Sequence, residues 1–238
     1  MTPAHEIEPT WEVTTPSGVA RIHLHAVAHG RPRATLVLGH GAGKGVDAPD
    51  LVAVASALPD EGIEVVLVEQ PWRVRGLKVA SSAATLDAAW TACVRDLRGR
   101  GIGTRRLVAG GRSSGARVAC RTASELAPAA LFLMAFPANP IRRPSLTAEP
   151  VSRIPELVAA ARLAPTVVVQ GVRDRMGSPG EIALALAEEQ VAARVVPIPG
   201  ADHSFRVAAR ANLDQAEALE LIVRAARATA LRIVDGRY

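Results

Sequence analysis

Six short apolar runs recur along the chain, and segments with helical periodicity separate them. A strand forms a continuous apolar run when helices cover both faces of its sheet, because neither side of the strand meets water. Strands that alternate with helices form βαβ units. We therefore predict an α/β fold with a doubly wound, mostly parallel sheet and helices on both faces. The predicted parallel strands are 34–39, 63–69, 105–110, 129–135, 166–170 and 194–198.

The segment 20–29 has a different pattern, in which apolar residues alternate with Arg21 and three histidines. One apolar and one polar face are typical of an antiparallel strand at the edge of a sheet. We expect this segment to pair with residues 11–14, so that an N-terminal antiparallel hairpin precedes the parallel strands. The three histidines are interpreted as a solvated face, and no metal site is predicted there. They are His23, His25 and His29.

Length and composition are sufficient for one large domain. The chain has 238 residues, of which 49% are hydrophobic, and we interpret 1–238 as a single domain. The stretch 137–155 is rich in proline, so we expect an irregular loop or a minimal cap there. No apolar run approaches the roughly 18 residues of a membrane span, and no secretory pattern is present. We therefore expect a cytoplasmic protein with no membrane partner.

The positive charge of the chain raises the question of a nucleic-acid partner. The formal net charge is +5, and the isoelectric point is about 10.2. A nucleic-acid surface needs a clustered basic stripe with aromatic side chains that stack on bases. Here the basic residues are scattered, and aromatic residues make up 3% of the chain. No nucleic-acid partner is predicted.

The segment GRSSG, residues 111–115, follows the third predicted parallel strand and precedes a helical segment. It matches the pattern G-x-S-x-G, in which a strained strand-to-helix turn holds a nucleophilic serine clear of the sheet. Ser113 is the central serine, and Gly111 and Gly115 avoid side chains that would collide with neighbouring backbone. The backbone N–H of Ser114 is then at a helix N-terminus, where developing negative charge is stabilised.

A serine hydroxyl is a weak nucleophile, so this interpretation requires a carboxylate and a histidine downstream, in that order. Asp174 follows the fifth predicted parallel strand, and His203 follows the sixth. Because ligand sites in parallel sheets form at the carboxyl ends of strands, we expect both side chains to converge with Ser113. Asp202 directly precedes His203, but adjacent side chains on a loop usually diverge. Asp174 is therefore predicted as the acid.

The first parallel strand ends in a glycine-rich segment, LGHGAGKG. In acyl-transfer enzymes, a turn at this place supplies a second backbone N–H to the oxyanion, and the candidate donors here are Gly41 and Ala42. His40 is expected to shape the turn and not to act as a base. The helix after the turn is expected to be capped by Asp47 or Asp50.

Four segments together resemble the α/β-hydrolase superfamily, and most closely its small dienelactone-hydrolase-like branch. They are LVLGHGAG, GGRSSGARVA, VVVQGVRD and PGADHSF, and the resemblance covers about residues 34–225. It implies an α/β-hydrolase fold with Ser113 as nucleophile, Asp174 as acid and His203 as base. It also implies an oxyanion hole formed by the amides of Ser114 and of Gly41 or Ala42.

These residues predict a serine hydrolase that cleaves an ester-like or thioester-like acyl bond of a small molecule through an acyl-enzyme, with no metal or organic cofactor. Several arginines are on or near loops at the same edge of the sheet, where they would suit an anionic substrate group. Members of the branch often have a histidine before proline at the position of Asn139, which marks it as a pocket position. The candidate substrate contacts are Arg73, Arg112, Asn139 and Arg142.

Two other interpretations are weighed against the hydrolase. A chain with this fold can serve as a non-catalytic interaction module, because fold does not fix function. The segment 43–48, GKGVDA, matches a loose dinucleotide-binding pattern, but it begins too far after the strand for the tight turn of such a site. A Walker A loop is also disfavoured, because Lys44 is followed by glycine and not by serine or threonine.

Overall fold

The computed structural model describes residues 9–140 and 151–236. Their strands are β1 (Thr10–Thr15), β2 (Gly18–His25), β3 (Ala34–Gly39), β4 (Ile63–Glu69), β5 (Leu107–Arg112), β6 (Ala130–Met134), β7 (Thr166–Gly171) and β8 (Ala193–Ile198). They form an eight-stranded sheet in the order β1-β2-β4-β3-β5-β6-β7-β8. β2 pairs antiparallel with β1 and β4, and the other neighbouring pairs are parallel. The predicted fold class is confirmed.

Helices cover both faces of this sheet. They are α1 (Pro49–Ala57), α2 (Pro71–Val74), α3 (Ala83–Gly99), α4 (Ser114–Arg121), α5 (Ala123–Leu126), α6 (Ile154–Leu163), α7 (Pro179–Glu188) and α8 (Gln215–Val234), with a short 3-10 turn at Pro59–Glu61. In β4, Val65 and Leu67 belong to the core under α1 and α8, whereas Val66 and Val68 belong to the core under α3 and α4. Both faces of the strand are buried, which explains its continuous apolar run.

The N-terminal hairpin forms as predicted, but its place in the sheet differs. Trp11 is opposite Ile22 in the pairing of β1 with β2. β2 is not the edge strand, because its other side pairs with β4, where Arg21 is opposite Glu69. The polar side chains of β2, which suggested an edge position, lie near the carboxylate of Glu69 on β4. Arg21 Nη1 is 3.4 Å and His23 Nε2 is 3.5 Å from Glu69 Oε2.

The start of β5 and the capping of α1 differ from the prediction, and β6, β7 and β8 differ from it by one residue at one or both ends. β5 begins at Leu107, after the exposed Arg106, and continues to Arg112, so that the strand leads directly into the GRSSG turn. The N-cap of α1 is Ala48, and no side chain caps this helix. The prediction of an aspartate cap is therefore wrong, because Asp50 is inside the first turn and is buried.

The irregular segment predicted at 137–155 is only partly among the described residues, because 141–150, including Arg142, are outside them. Its last two residues are helical, since α6 begins at Ile154. No helix within the described ranges is long and apolar enough to span a membrane.

The parallel arrangement brings the loops after six strands to one edge of the sheet, and four of these loops carry the candidate catalytic and oxyanion-hole residues. These four follow the carboxyl ends of β3, β5, β7 and β8, at Gly39, Arg112, Gly171 and Ile198. Because parallel strands end on the same side, these loops present their residues to a shared space, and this is the usual place for a ligand site in such sheets.

Candidate active site

Ser113 is on a sharp turn between β5 and α4. Its backbone angles are φ 53° and ψ −108°, a conformation that is strained for a residue with a side chain. Its N–H donates to the carbonyl of Met134 on β6 at 2.9 Å, which holds the turn against the sheet. A Cβ at Gly111 or Gly115 would overlap the carbonyl oxygen of Gly39. Only glycine at both positions lets the turn approach β3 this closely.

The structure brings Ser113, Asp174 and His203 into one chain of contacts. Ser113 Oγ is 3.0 Å from His203 Nε2, and His203 Nδ1 is 2.7 Å from Asp174 Oδ2. A carboxylate accepts only, so Nδ1 donates to it, and in the neutral ring Nε2 is then free to accept from the serine hydroxyl. This arrangement can move a proton from the hydroxyl to the imidazole while the carboxylate stabilises the resulting charge.

Asp174 is held by two further hydrogen bonds, and its side chain has 0% exposed surface. Oδ1 accepts from the backbone N–H of Met176, and Oδ2 accepts from Gln170 Nε2, both at 2.8 Å. Gln170 is fully buried near the end of β7. Its Oε1 accepts from the backbone N–H of Phe136, and its Nε2 donates to the carbonyl of the same residue. The sequence analysis did not single out Gln170. A polar side chain that ends an apolar strand is the signal that would have identified it.

Asp202, the neighbouring carboxylate, makes other contacts. Its Oδ1 accepts from the backbone N–H groups of Ser204 at 2.8 Å and Arg206 at 3.0 Å. These bonds shape the loop that carries His203, and this carboxylate faces the backbone of its own loop.

Arg112 ties the His203 loop to the other side of the site. The residue is 6% exposed, and its Nη2 donates to the carbonyl of His203 at 3.0 Å. Its Nε is 2.9 Å from Asp50 Oδ2, an ion pair without the alignment of a hydrogen bond. Burial raises the pKa of Asp50, and the charge of Arg112 opposes that shift. This guanidinium joins α1 to the His203 loop and also lines the cavity beside Ser113, so a substrate contact at Arg112 stays a prediction.

His40 is buried under the turn that follows β3. Its Nε2 accepts from the backbone N–H of Gln70 at 3.0 Å, so its Nδ1 carries the proton and donates to the carbonyl of Gly41 at 2.8 Å. Burial lowers the pKa of His40, which favours the neutral ring. The carbonyl and N–H of one trans peptide point in opposite directions. The contact to Gly41 therefore turns the N–H of Ala42 away from His40.

A cavity of about 500 Å³ opens beside Ser113. Its lining includes Ala42, Ser114, Met176 and His203, together with Arg112 and three arginines of the α4 and α6 region, Arg117, Arg121 and Arg153. The sequence analysis did not select those three: Arg117 and Arg121 are inside α4, and Arg153 is at the far end of the connection between β6 and α6.

The other candidate substrate contacts are elsewhere. Arg73 and Asn139 do not line this cavity. Arg73 lies beside Gly45, and Asn139 is exposed and donates its backbone N–H to the carbonyl of Met176 at 2.8 Å. Arg142 lies outside the described residues. Within 9–140 and 151–236, no three His, Cys, Asp or Glu side chains converge in a way that could hold a metal ion.

Solved structures with a similar fold are numerous. A lidless α/β serine hydrolase from Xanthomonas campestris is 19% identical, with a TM-score of 0.68 over 94% of this chain and 95% of that chain. An α/β serine hydrolase homologue from Coxiella burnetii is 16% identical, with a TM-score of 0.72 over 92% and 97%. Esterase 2 of Thermogutta terrifontis, solved after phosphorylation by paraoxon, is 17% identical, with a TM-score of 0.65 over 100% and 98%. At these identities the likeness concerns the fold.

Sequence comparison gives the family. No match was found among curated proteins. The model of the alpha/beta hydrolase domain matches residues 32–231, which includes the turn at Ser113 and the loops of Asp174 and His203. This match covers most of the chain and agrees with the resemblance carried by its four motifs. The chain therefore belongs to the alpha/beta hydrolase domain family.

Proposed function

We propose that this protein is a serine hydrolase that cleaves an ester-like or thioester-like acyl bond of a small molecule. The observation that carries the proposal is the pair of contacts that join Ser113 to His203 at 3.0 Å and His203 to Asp174 at 2.7 Å. Further support comes from the strained turn at Ser113 and from the adjoining cavity, which is large enough for a small substrate. Structural neighbours described as serine hydrolases and esterases agree with this chemistry.

The proposed reaction has two steps. In the first, His203 Nε2 takes the proton of Ser113 as Oγ attacks the acyl carbon, and then gives that proton to the departing alcohol or thiol. In the second, His203 removes a proton from water, which attacks the acyl-enzyme and releases the carboxylic acid and the free serine. Asp174 holds the imidazole in the required tautomer and stabilises its charged form. Water is the only co-reactant.

Two backbone amides are proposed to stabilise the negative oxygen of the tetrahedral intermediate. One is that of Ser114, the first residue of α4, where the helix dipole favours negative charge. The other is that of Ala42, because Ala42 lines the cavity and its N–H is turned away from His40. Gly41 does not line the cavity and packs against Arg112, which favours Ala42 between the two alternatives.

Replacement of Ala42 by proline should lower kcat by roughly a hundredfold or more, because proline has no N–H and the loss of one oxyanion donor costs about that much. Ala42→Gly keeps the N–H and serves as the matched control, with kcat expected within a few-fold of wild type. Both kcat values should be measured on protein with an unchanged melting temperature. Equal activity of the proline and glycine variants would move the donor away from Ala42.

A serine-directed fluorophosphonate probe tests the proposed function against a non-catalytic interaction module. The wild-type protein should be labelled covalently on Ser113, because only an activated serine displaces fluoride from the probe. Ser113→Ala should abolish labelling. Ser114→Ala should retain it, because that substitution removes the adjacent hydroxyl and keeps the proposed oxyanion amide. Absence of labelling in wild type, or labelling that persists in Ser113→Ala, would refute the proposal.

A further inference from the structure

Three guanidinium groups line one wall of the cavity beside Ser113, and only two carboxylates among the described residues pair with them. Arg117 is bidentate with Glu156, with Nε 2.8 Å from Oε2 and Nη2 2.5 Å from Oε1. Arg121 is bidentate with Asp87, at 2.8 and 2.6 Å, and its Nη1 is also 3.4 Å from Glu156 Oε2. The third guanidinium belongs to Arg153.

The two ion pairs fix the positions of their members. Fork-to-fork pairing of arginine with carboxylate holds both planes in one orientation. Burial alone would raise the pKa of Glu156, but its hydrogen bonds and the charges of Arg117 and Arg121 outweigh burial, and the net shift is downward. Glu156 is therefore ionised, and both of its carboxylate oxygens already accept hydrogen bonds from Arg117 and Arg121.

Of the three arginines, Arg153 is the one whose positive charge is not paired with a carboxylate in an ion pair among the described residues. Its side-chain contact among the described residues is a long hydrogen bond, 3.4 Å, from Nη1 to the carbonyl of Pro137. A guanidinium has five N–H donors, so four of them have no acceptor among the residues that the structure describes. Burial, together with the like charges of Arg117 and Arg121, lowers the pKa of Arg153, and the charge of Glu156 opposes that shift without reversing it. A half-buried cation with free donors and cationic neighbours is stabilised when an anion binds to it.

We propose, on the basis of the function given above, that the preferred substrates carry a carboxylate in addition to the acyl bond, and that Arg153 binds this carboxylate in the cavity. Arg117 and Arg121 add to the positive potential of the same wall. Arg153 is a specificity residue in this proposal and takes no part in the proton transfers of Ser113 and His203. A planar carboxylate can accept two parallel hydrogen bonds from a guanidinium, so the contact is specific in geometry as well as in charge.

Two pairs of esters test the inference, because the carboxylate can be on either side of the scissile bond. Monoethyl succinate and ethyl butyrate differ by a carboxylate in place of a methyl group on the acyl side. 4-Acetoxybenzoate and its methyl ester differ by a carboxylate on the leaving-group side. In one of the two pairs, kcat/KM for the anionic ester should exceed that for the neutral ester by about tenfold or more, which corresponds to about 1.4 kcal/mol.

Arg153→Gln should lower the anionic-to-neutral ratio of kcat/KM by roughly tenfold, mainly through KM, because charge-assisted hydrogen bonds are lost in binding and not in the chemical step. Arg153→Lys keeps the charge but not the fork, so an intermediate ratio is expected. Arg162→Gln is the matched control. Arg162 is exposed near the end of α6 and pairs with Glu189 at 3.0 Å, so its loss should leave the ratio unchanged.

Three results would overturn the inference while the proposed function stands. The first is an anionic-to-neutral ratio of kcat/KM at or below one in both ester pairs. The second is a ratio that is unchanged in Arg153→Gln. The third is a loss of kcat/KM in Arg153→Gln that is equal for the anionic and the neutral ester of a pair. The last result would indicate a merely structural role for Arg153. Failure to hydrolyse any of the four esters, together with failure of fluorophosphonate labelling, would instead contradict the hydrolase itself, and the inference would fall with it.

Discussion

Substitution of His203 by glutamine is expected to lower kcat by roughly 10⁶-fold, the size of effect seen when the base of a comparable serine site is removed. The physical reason is that His203 Nε2, 3.0 Å from Ser113 Oγ, is the one base in contact with this hydroxyl among residues 9–140 and 151–236. The measurement is steady-state kcat on a short-chain ester, with the melting temperature as a check on folding.

His40 supplies the matched comparison, because it is the other histidine at this edge of the sheet. Both of its ring nitrogens are bound to backbone, at Gln70 and Gly41, so it cannot accept a proton from Ser113. His40→Gln should lower kcat by no more than about 10³-fold, the upper value for the loss of one oxyanion donor. If His40→Gln were the more damaging of the two at equal stability, the role of base would belong to His40.

The parts of the site that could be predicted from the sequence are those encoded by local patterns. The turn at Ser113 could be identified from the glycines two residues before and two residues after the serine. The same pattern requires a strand before the turn and a helix after it. Asp174 and His203 could be selected because each follows an apolar strand, and parallel strands bring such positions to one edge. The structure places all three in contact, at distances that no sequence pattern specifies.

The interior polar contacts could not be predicted, because they join residues that are far apart in the chain. Asp50 is in α1 and Arg112 is the last residue of β5, with β4 and α3 between them in the chain, so only the folded structure brings the two charges to 2.9 Å. Arg153 faces the cavity only because α6 packs next to α4. The sequence pointed to arginines on or near the loops at this edge, and in the structure Arg112 lines the cavity together with arginines of α4 and of the α6 entry.

The prediction that β2 is an edge strand was wrong for a related reason. Alternation of polar and apolar residues predicts one covered and one solvated face, but it does not say how many neighbours a strand has. Glu69, at the end of β4, accepts a hydrogen bond from Arg21 and has His23 Nε2 at 3.5 Å from its carboxylate, so the polar residues of this interior strand face an opposite charge. The carboxylate that makes this possible is 48 residues away from Arg21 along the chain.

Asp174→Asn is expected to lower kcat by roughly 10⁴-fold, because an uncharged partner leaves the imidazole in the wrong tautomer and does not stabilise its protonated form. The structure supports this size of effect, since the Asp174 carboxylate is fully buried and is 2.7 Å from His203 Nδ1. The backbone N–H of Met176 and the amide of Gln170 hold the carboxylate in place. Measurement of kcat for the purified variant decides the matter.

Asp202→Asn is the matched substitution, one residue from His203, and it should cost less than about tenfold in kcat. The Asp202 carboxylate accepts from the backbone N–H groups of Ser204 and Arg206, and an asparagine side-chain oxygen can accept the same two bonds. Its effect is therefore confined to small movements of the loop that carries His203. Both variants should be compared at equal melting temperature, so that loss of folded protein does not enter kcat. The reverse order of effects would transfer the role of the acid from Asp174 to Asp202, and would mean that the loop rearranges when substrate binds.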